Sequence, residues 1–175
     1  DHQALFDRCP WLDGNPNLTD GVAQSNTYQF EGVINKSSVD NLIAAVEGGI
    51  EVVQLNSSGG NLGHAMRAFD ALRLASVDTV VSGICASACS IIFLAGETRQ
   101  VPAKSKLGVH QWVSMDKNTD EAETQLFAAE MIELFKQAGV EEDLFIKAAK
   151  TPPSSMYWLS QHELKSWGVT RSGLS

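Results

Sequence analysis

The sequence predicts an α/β fold in which a mainly parallel sheet is flanked by helices. Three observations support this fold class: strand-like and helix-like segments alternate along the chain, the connections between them are short, and glycine-rich or serine-rich turns follow two of the strands. Strands and helices that alternate in this way form parallel sheets with right-handed crossovers. Functional groups are therefore expected just beyond the carboxyl ends of the strands.

The first half of the regular region contains three strand-to-helix units. The predicted strands cover residues 28–34, 51–55 and 78–82. Hydrophobic residues recur at helical spacing over 39–46 and 62–72, and a short apolar helix ends at Gly96. The turn containing Gly59 and Gly60 follows the second strand, and the third strand runs into a turn around Ser87.

The second half continues with shorter elements. A short strand pair is predicted over 98–101 and 106–112, with Pro102 between them, and a polar loop over 114–119. A longer helix ends at Gly139, and the next begins near Glu141 and ends before Pro152. Ser160 to Glu163 has the form of a capping box, and the helix that it begins ends at Gly168.

Length and composition are those of an ordinary folded domain. The chain has 175 residues, of which 43% are hydrophobic and 19% charged, enough for one compact core. Residues 1–26 are rich in turn formers and are expected to form an irregular N-terminal arm, whereas 27–175 are expected to form a single domain. The uncharged run 79–96 is interpreted as buried core and not as a membrane span, because it contains serines and lacks flanking basic anchors.

The charge balance argues against polyanionic partners. There are 13 basic and 21 acidic side chains, which give a net charge of −8. No broad cationic face is therefore expected that would neutralise phosphates. Nucleic acid and anionic membranes are accordingly not predicted as partners.

Three cysteines, Cys9, Cys85 and Cys89, are too few for a disulfide scaffold and lack the spacing of a zinc site. In an oxidising compartment one disulfide is expected, either between Cys85 and Cys89 or between one of these two and Cys9. The third cysteine then remains a thiol. The alternative is that all three are small buried apolar side chains. The sequence leaves both interpretations open.

Three features are candidates for chemistry. Backbone N–H groups at Gly59 and Gly60 can hold a negative oxygen, although an ordinary tight turn has the same sequence. Ser87 lies between a strand and a helix, as in a nucleophile elbow, or serves as a helix cap. His110 lies in an apolar strand, either as a general base or as a hydrogen-bonded core residue. Because the three features occur in this order in one chain, together they are stronger evidence for a catalytic site than any one of them alone.

These motifs resemble those of the proteolytic subunit of the Clp protease and its relatives in the Clp/crotonase-like superfamily. The segment from Leu55 to Gly60 is similar to the family's Asn-Ser-Pro-Gly-Gly turn, with Ser58 in place of proline. The segment from Gly83 to Ala88 is similar to its Gly-x-Ala-Ala-Ser-Met motif, and His110 lies in a match to its Ile-His-Gln. The resemblance covers about Tyr28 to Thr170.

The resemblance implies a fold, a site and partners. The fold is the crotonase/Clp-like spiral of β-β-α units. Ser87 is the nucleophile, His110 is the general base, and the backbone amides of Gly60 and Ala88 form the oxyanion hole. The family also implies a homo-oligomer that acts on peptides or proteins. Neither a cofactor nor a metal is implied.

One position departs from the family. The family's third catalytic residue is an aspartate, and Met156 holds that place here. Either His110 is oriented by Ser155, Ser154 or a backbone carbonyl, or the site is a Ser-His dyad.

Other side chains were weighed for a part in this site. An acidic residue of the following loop is one alternative to the aspartate, and a histidine after the glycine turn is a further candidate for the same cleft. A lysine before His110 is the second choice as base, since some superfamily members use a Ser-Lys dyad. These residues are Asp116, Asp120, Glu121, His64, Lys104 and Lys106.

The leading functional hypothesis is a serine peptidase-like hydrolase that forms an acyl-enzyme at Ser87. The loss of the aspartate favours a second hypothesis, a catalytically silent binding or assembly module of the same fold. A crotonase-like enzyme that binds acyl-CoA is a third. The cysteines on both sides of Ser87 resemble those of bacterial relatives thought to be exported, so the periplasm is the expected compartment and the cytoplasm the alternative.

Overall fold

A computed structural model of the chain describes residues 26–112 and 120–173. The strands are β1 (Thr27–Glu31), β2 (Val52–Ser57), β3 (Asp78–Ala86), β4 (Arg99–Gln100), β5 (Lys106–Val109) and β6 (Tyr157–Trp158). The helices are α1 (Lys36–Glu47), α2 (Leu62–Ala75), α3 (Cys89–Leu94), α4 (Glu121–Ala138), α5 (Glu142–Lys150) and α6 (Gln161–Ser166). This mixed α/β architecture confirms the fold class. The predicted arm, apart from its last residue, and the loop over 114–119 lie outside the described residues.

The described strands form one six-stranded sheet in the order β1-β2-β3-β5-β6, with β4 also paired to β3. All pairs are parallel except β5 with β6. The prediction that the segments around Pro102 pair with each other is wrong. Both run parallel to β3, with β4 beside its beginning and β5 beside its end, because the turn closed by Ser105 N–H and Pro102 O does not reverse the chain.

Several strands differ in length from the prediction: β1 ends at Glu31 instead of Ile34, and β2 extends to Ser57. β3 continues past Ser82 to Ala86, because its last three residues pair with β5. β5 ends at Val109 instead of 112, because the next residues leave the ladder: Gln111 donates its N–H to Thr151 O and its side-chain amide to Ala149 O. β6, which the sequence did not predict, adds the antiparallel edge.

A bulge in β3 changes its register with β2. The register changes from Leu55 opposite Val81 to Ser57 opposite Cys85, so β3 carries two extra residues between these pairs. The Asn56 side chain fills the bulge, and its Oδ1 accepts the Ile84 N–H at 3.2 Å. Glycine is required at position 83, since a Cβ there would lie 2.6 Å from this oxygen. Asn56 therefore sets where β3 ends.

Helix boundaries follow their capping residues. The predicted capping box at Ser160 is confirmed by reciprocal hydrogen bonds with Glu163, and similar boxes begin α1 at Asn35 and α4 at Asp120. Gly139 ends α4 in the left-handed conformation, as predicted. These caps satisfy N–H groups that a helix cannot pair internally.

The core lies between the sheet and the helices, and α3 is buried along its whole length. Its largest apolar side chains are Phe30, Phe69, Phe93 and Phe135, and each contributes about 1.5–3 kcal/mol by leaving water. The uncharged run 79–96 forms most of β3 and all of α3. In the two described ranges, the helices are too short or too polar to cross a membrane.

One buried cation connects three helix ends. Arg99 is 1% exposed, and its guanidinium donates to the carbonyl oxygens of Leu94, Ala138 and Gly168 at 3.0, 2.8 and 2.8 Å. These carbonyls end α3 and α4 and follow α6, where the helix dipole is negative. Burial lowers the pKa of Arg99 to about 10. Among the described residues no carboxylate pairs with it.

Candidate active site

The three predicted features meet at one edge of the sheet. The turn with Gly59 and Gly60 follows β2, Ser87 follows β3, and His110 follows β5. Because these three strands are adjacent and parallel, their carboxyl ends lie side by side. The fold therefore brings together residues that are separated by about fifty positions in the sequence.

Ser87 and His110 are in direct contact. The Ser87 Oγ lies 2.7 Å from Nε2 of His110, and Nδ1 of His110 lies 3.1 Å from the carbonyl oxygen of Pro153. A carbonyl oxygen only accepts, so Nδ1 carries the ring proton. In the neutral ring Nε2 is then the acceptor, and the Ser87 hydroxyl donates to it. This is the arrangement in which a histidine removes the proton of a serine nucleophile.

The position of Met156 follows from the β5–β6 ladder. Gly108 lies opposite Trp158 and Val109 opposite Tyr157, and His110 and Met156 are the residues just beyond this last pair. Its side chain packs on Gly108, where an added Cβ would lie 2.8 Å from the Met156 Cγ. Neither Met156 nor Ser155 makes a hydrogen bond to His110 in the described part of the chain, and the Pro153 carbonyl takes that place.

The backbone of Ser87 is strained and held from several sides. Its φ is +56°, in the left-handed region that residues with a side chain rarely adopt. The Ser87 N–H donates to Gly108 O at 3.0 Å, and its carbonyl accepts the Ser90 N–H at 3.0 Å and the Ser90 hydroxyl at 2.7 Å. Ser87 is not the cap of α3, since Ala88 holds that position. Such strain persists only where the surroundings impose it, commonly at active sites.

Gly59 and Gly60 bring the turn that follows β2 against the elbow, which is the turn between β3 and α3 that contains Ser87. A Cβ at Gly59 would lie 2.9 Å from the Ser87 Cβ, and one at Gly60 would lie 2.3 Å from Ile34 O. Both glycines have positive φ, and the turn is closed by the Gly59 N–H, which donates to the buried Ser57 Oγ at 3.1 Å. Only glycine fits at these two positions.

The two amides expected to form the oxyanion hole are those of Gly60 and Ala88. Ile34 donates to Gly59 O and accepts from Asn61 N–H, so the Gly60 N–H points away from Ile34. Ala88 precedes α3, which has no side-chain cap. In the ranges that the structure describes, neither the Gly60 nor the Ala88 amide donates to a protein acceptor. Two such amides are what an oxyanion hole requires.

Cys85 and Cys89 form a disulfide, with Cα atoms 5.2 Å apart. This selects one of the pairings that the sequence left open, and Cys9 lies outside the described residues. Cys85 is in the last part of β3 and Cys89 is the first residue of α3. The bond therefore closes around Ser87.

An apolar cleft of about 190 Å³ lies next to the end of β5, lined among others by Gln111, Trp112, Phe127 and Met131. The Trp112 ring stacks on Phe145 with centroids 5.9 Å apart. Gln111 directly follows His110, but neither Ser87 nor His110 lines this cleft.

The other side chains that were considered do not contact Ser87 or His110 through hydrogen bonds within the described ranges. His64 lies 3.4 Å from Arg67, and Lys106 lies 6.0 Å above the Trp158 ring. Asp120 caps α4, and Glu121 is exposed in its first turn. Lys104 is exposed, and Asp116 lies outside the described residues.

The sequence did not identify four residues that shape the site. Asn56 and Ser57 belong to the turn motif from Leu55 to Gly60, but the motif predicts no role for their side chains. Ser90 is one helical turn from Ser87, a spacing that a search for capping contacts would detect. Pro153 acts through its backbone, for which no side-chain pattern exists. No group of three or more side chains within residues 26–112 and 120–173 is arranged to hold a metal ion.

Comparison with known proteins agrees with this fold. ClpP1 from Listeria monocytogenes superposes with a TM-score of 0.68 at 21% identity, over 83% of this chain and 89% of that chain. An asparagine-to-aspartate point mutant of ClpP1 from Listeria monocytogenes superposes with a TM-score of 0.62 at 23% identity and the same coverage. No curated protein matches the chain. Residues 39–146, more than half of the chain, match the Clp protease family. The chain belongs to the Clp protease family.

Proposed function

We propose that this protein is a serine peptidase-like hydrolase in which Ser87 is the nucleophile. The observation that carries the proposal is the 2.7 Å contact between Ser87 Oγ and His110 Nε2 at a strained elbow. Ser87 Oγ attacks the carbonyl carbon of a peptide bond while its proton passes to Nε2. The Gly60 and Ala88 amides stabilise the oxygen that becomes negative, each by about 3 kcal/mol.

The second half of the reaction uses the same groups. His110 gives its proton to the leaving amine, the C–N bond breaks, and an acyl-enzyme on Ser87 results. Water then attacks the acyl carbon and gives a proton to Nε2, and the Ser87 oxygen leaves with that proton restored. Neither half requires a cofactor.

The Pro153 carbonyl supports His110 as a functional base, although a slower one than a histidine that is held by an aspartate. Its oxygen holds the ring in the tautomer that leaves Nε2 free, as an aspartate does. It carries only a partial charge, so it stabilises the imidazolium less than a carboxylate would. Loss of the correct tautomer costs ~10⁴-fold in serine proteases, and here the carbonyl preserves that tautomer.

Fluorophosphonate labelling followed by intact mass tests this function. We expect one phosphonate per chain on the wild-type protein and none on Ser87→Ala. His110→Ala should label far more slowly, whereas Ser82→Ala, a matched control on the exposed face of β3, should label like the wild type. An unlabelled wild-type protein would contradict the proposal.

The second candidate is a binding or assembly module without turnover. The absence of a carboxylate at Met156 favours it. In that case the protein would retain a peptide on an affinity column but would neither label nor hydrolyse small esters and peptides. Steady release of product that is abolished by Ser87→Ala would eliminate this candidate.

We further propose that the protein assembles with copies of itself. Membership of the Clp protease family supports this, as do large apolar side chains left in solvent, such as Leu74 at 90% and Leu126 at 67% exposure. Light scattering coupled to size exclusion should show a mass several times that of one chain. A monomer at micromolar concentration would contradict the proposal.

We also propose an oxidising compartment, with the bacterial periplasm as the expected one. The Cys85–Cys89 disulfide supports this, because such bonds are rare in reducing compartments. Rapid acid quenching of expressing cells, followed by thiol alkylation, should find this pair oxidised in the periplasmic fraction. A fully alkylated pair would favour the cytoplasm.

A further inference from the structure

The Cys85–Cys89 disulfide encloses the candidate nucleophile. Ser87 lies midway between the two cysteines, and the bond joins β3 to α3 across the elbow. Both cysteines are completely buried. We propose that this disulfide is a positioning element that keeps Ser87 in its reactive conformation, and this inference rests on the proposed function.

The conformation of Ser87 needs such support. Its φ of +56° is unfavourable for a residue with a side chain. The hydrogen bonds to Gly108 and Ser90 hold the peptide groups of Ser87, but they do not fix the separation of β3 from α3. The disulfide does so, with its two Cα atoms held 5.2 Å apart on either side of the elbow. Without the bond, the elbow relaxes and Ser87 Oγ moves away from His110.

The effect of the bond is expected to be local. Its ring spans a sequence separation of only four residues. Because the loop-closure contribution of a disulfide grows with loop length, a ring this short affects global unfolding less than a long-range bond. Reduction should therefore change the site more than the fold. Since the sulfur-bearing residues are buried, a reductant reaches them only when the elbow opens.

Reduction with Cys85 and Cys89 both in place is the cleanest perturbation, since it leaves no cavity. Dithiothreitol attacks one sulfur and forms a mixed disulfide, and its second thiol then displaces the protein sulfur. The reductant becomes a cyclic disulfide, and the two cysteines receive two electrons and two protons. Cys9→Ser serves as the starting variant, so that only the pair around Ser87 can exchange.

The first measurement is fluorophosphonate labelling of the oxidised and the reduced protein under anaerobic conditions. We expect the limiting labelling rate to fall at least ~10-fold on reduction and to return on reoxidation, because displacements of about 1 Å cost up to 10²-fold. The inhibitor concentration at half-maximal rate and the final stoichiometry should stay constant. A role limited to folding would instead lower the stoichiometry. Equal limiting rates in the two forms would overturn the proposal.

The second measurement does not depend on hydrolysis. Amide hydrogen exchange is followed for peptides that cover residues 83–92 in both redox forms. Faster exchange confined to this segment on reduction supports a positioning role, whereas unchanged exchange there overturns it. If the oxidised protein does not label at all, the proposed function fails, and the exchange measurement alone decides whether the disulfide holds the elbow.

Discussion

Met156 and His110 each lie one residue beyond the last pair of the β5–β6 ladder, Val109 with Tyr157, and the two side chains make no hydrogen bond in the described structure. The Met156 side chain packs on Gly108, two residues before His110. We therefore expect a carboxylate introduced at position 156 to reach the His110 ring.

The variant Met156→Asp should accelerate labelling by at least ~10-fold, because a full negative charge stabilises the imidazolium better than a carbonyl dipole. The acidic limb of the pH–rate profile should move to higher pH for the same reason. Met156→Asn, similar in size but uncharged, is the control and should show neither change. A rate for Met156→Asp that is no higher than that of Met156→Asn would contradict the prediction.

Gly59→Ala should impair the site through a direct clash. The new Cβ would lie 2.8 Å from Ala86 O and 2.9 Å from the Ser87 Cβ. We expect labelling to slow at least ~10-fold, since the elbow has to move. Gly49→Ala is the matched control: its φ is also strongly positive, but no atom lies within 4 Å of its Cβ. It should lose about 1 kcal/mol of stability and label normally.

Arg99→Met should lower the free energy of unfolding by about 3 kcal/mol, because two buried carbonyl oxygens and a partly buried one lose their donor. Arg99→Lys should recover only part of this, since an ammonium lacks the planar fork that reaches all three oxygens. Arg73→Met is the control, because Arg73 donates to a single helix-end carbonyl, Gln137 O, in a partly exposed position. Urea unfolding measures all three variants. Equal losses for Arg99→Met and Arg73→Met would contradict the prediction.

Glu163 should make stability depend on pH. Burial tends to raise the pKa of its carboxyl, but hydrogen bonds from the Tyr157 hydroxyl and from the Ser160 N–H and hydroxyl outweigh burial and lower it below the usual 4.5. For a carboxyl with a lowered pKa, the stabilisation is complete above the unfolded value and is lost as the pH falls through the folded one.

We therefore expect the free energy of unfolding of Glu163→Gln, measured in urea at pH 7, to be about 0.5 kcal/mol below that of the wild type. The difference is small because the carboxyl is partly exposed. The difference should shrink towards pH 3. Ser166→Ala, on the same helix, removes no titratable group and should show no such dependence. A gap that is constant between the two pH values would show that the charge of Glu163 has no part in it.

The sequence predicted the fold class and most of the elements because the apolar spacing of the first half is regular. It failed where long-range pairing decides the structure. β6 has only two residues and owes its existence to β5, and the segments around Pro102 choose β3 as their partner. Neither choice leaves a local pattern.

The candidate site shows the same division. Ser87, His110 and Gly60 were found because each follows a strand and belongs to a motif, and the structure brings them to one edge. The group that binds Nδ1 is the backbone carbonyl of Pro153. Because every residue has such a carbonyl, the sequence predicted that a backbone carbonyl is one possible partner of His110 but not which residue supplies it. The burial of Arg99 was not anticipated either, because a lone arginine beside a short strand is typical of a surface.

Arg99 also determines when the fold can be completed during synthesis. Its three acceptors lie at positions 94, 138 and 168, and the backbone of β4 pairs with Arg171 in both directions. A nascent chain that has released Ser87 and His110 but not Gly168 still lacks one acceptor for a charge that must be buried. The C-terminal end of α3, the helix that follows Ser87, therefore lacks part of this network until the segment around Gly168 has been synthesised. A growing chain thus carries the proposed nucleophile and base before Arg99 has all three of its acceptors.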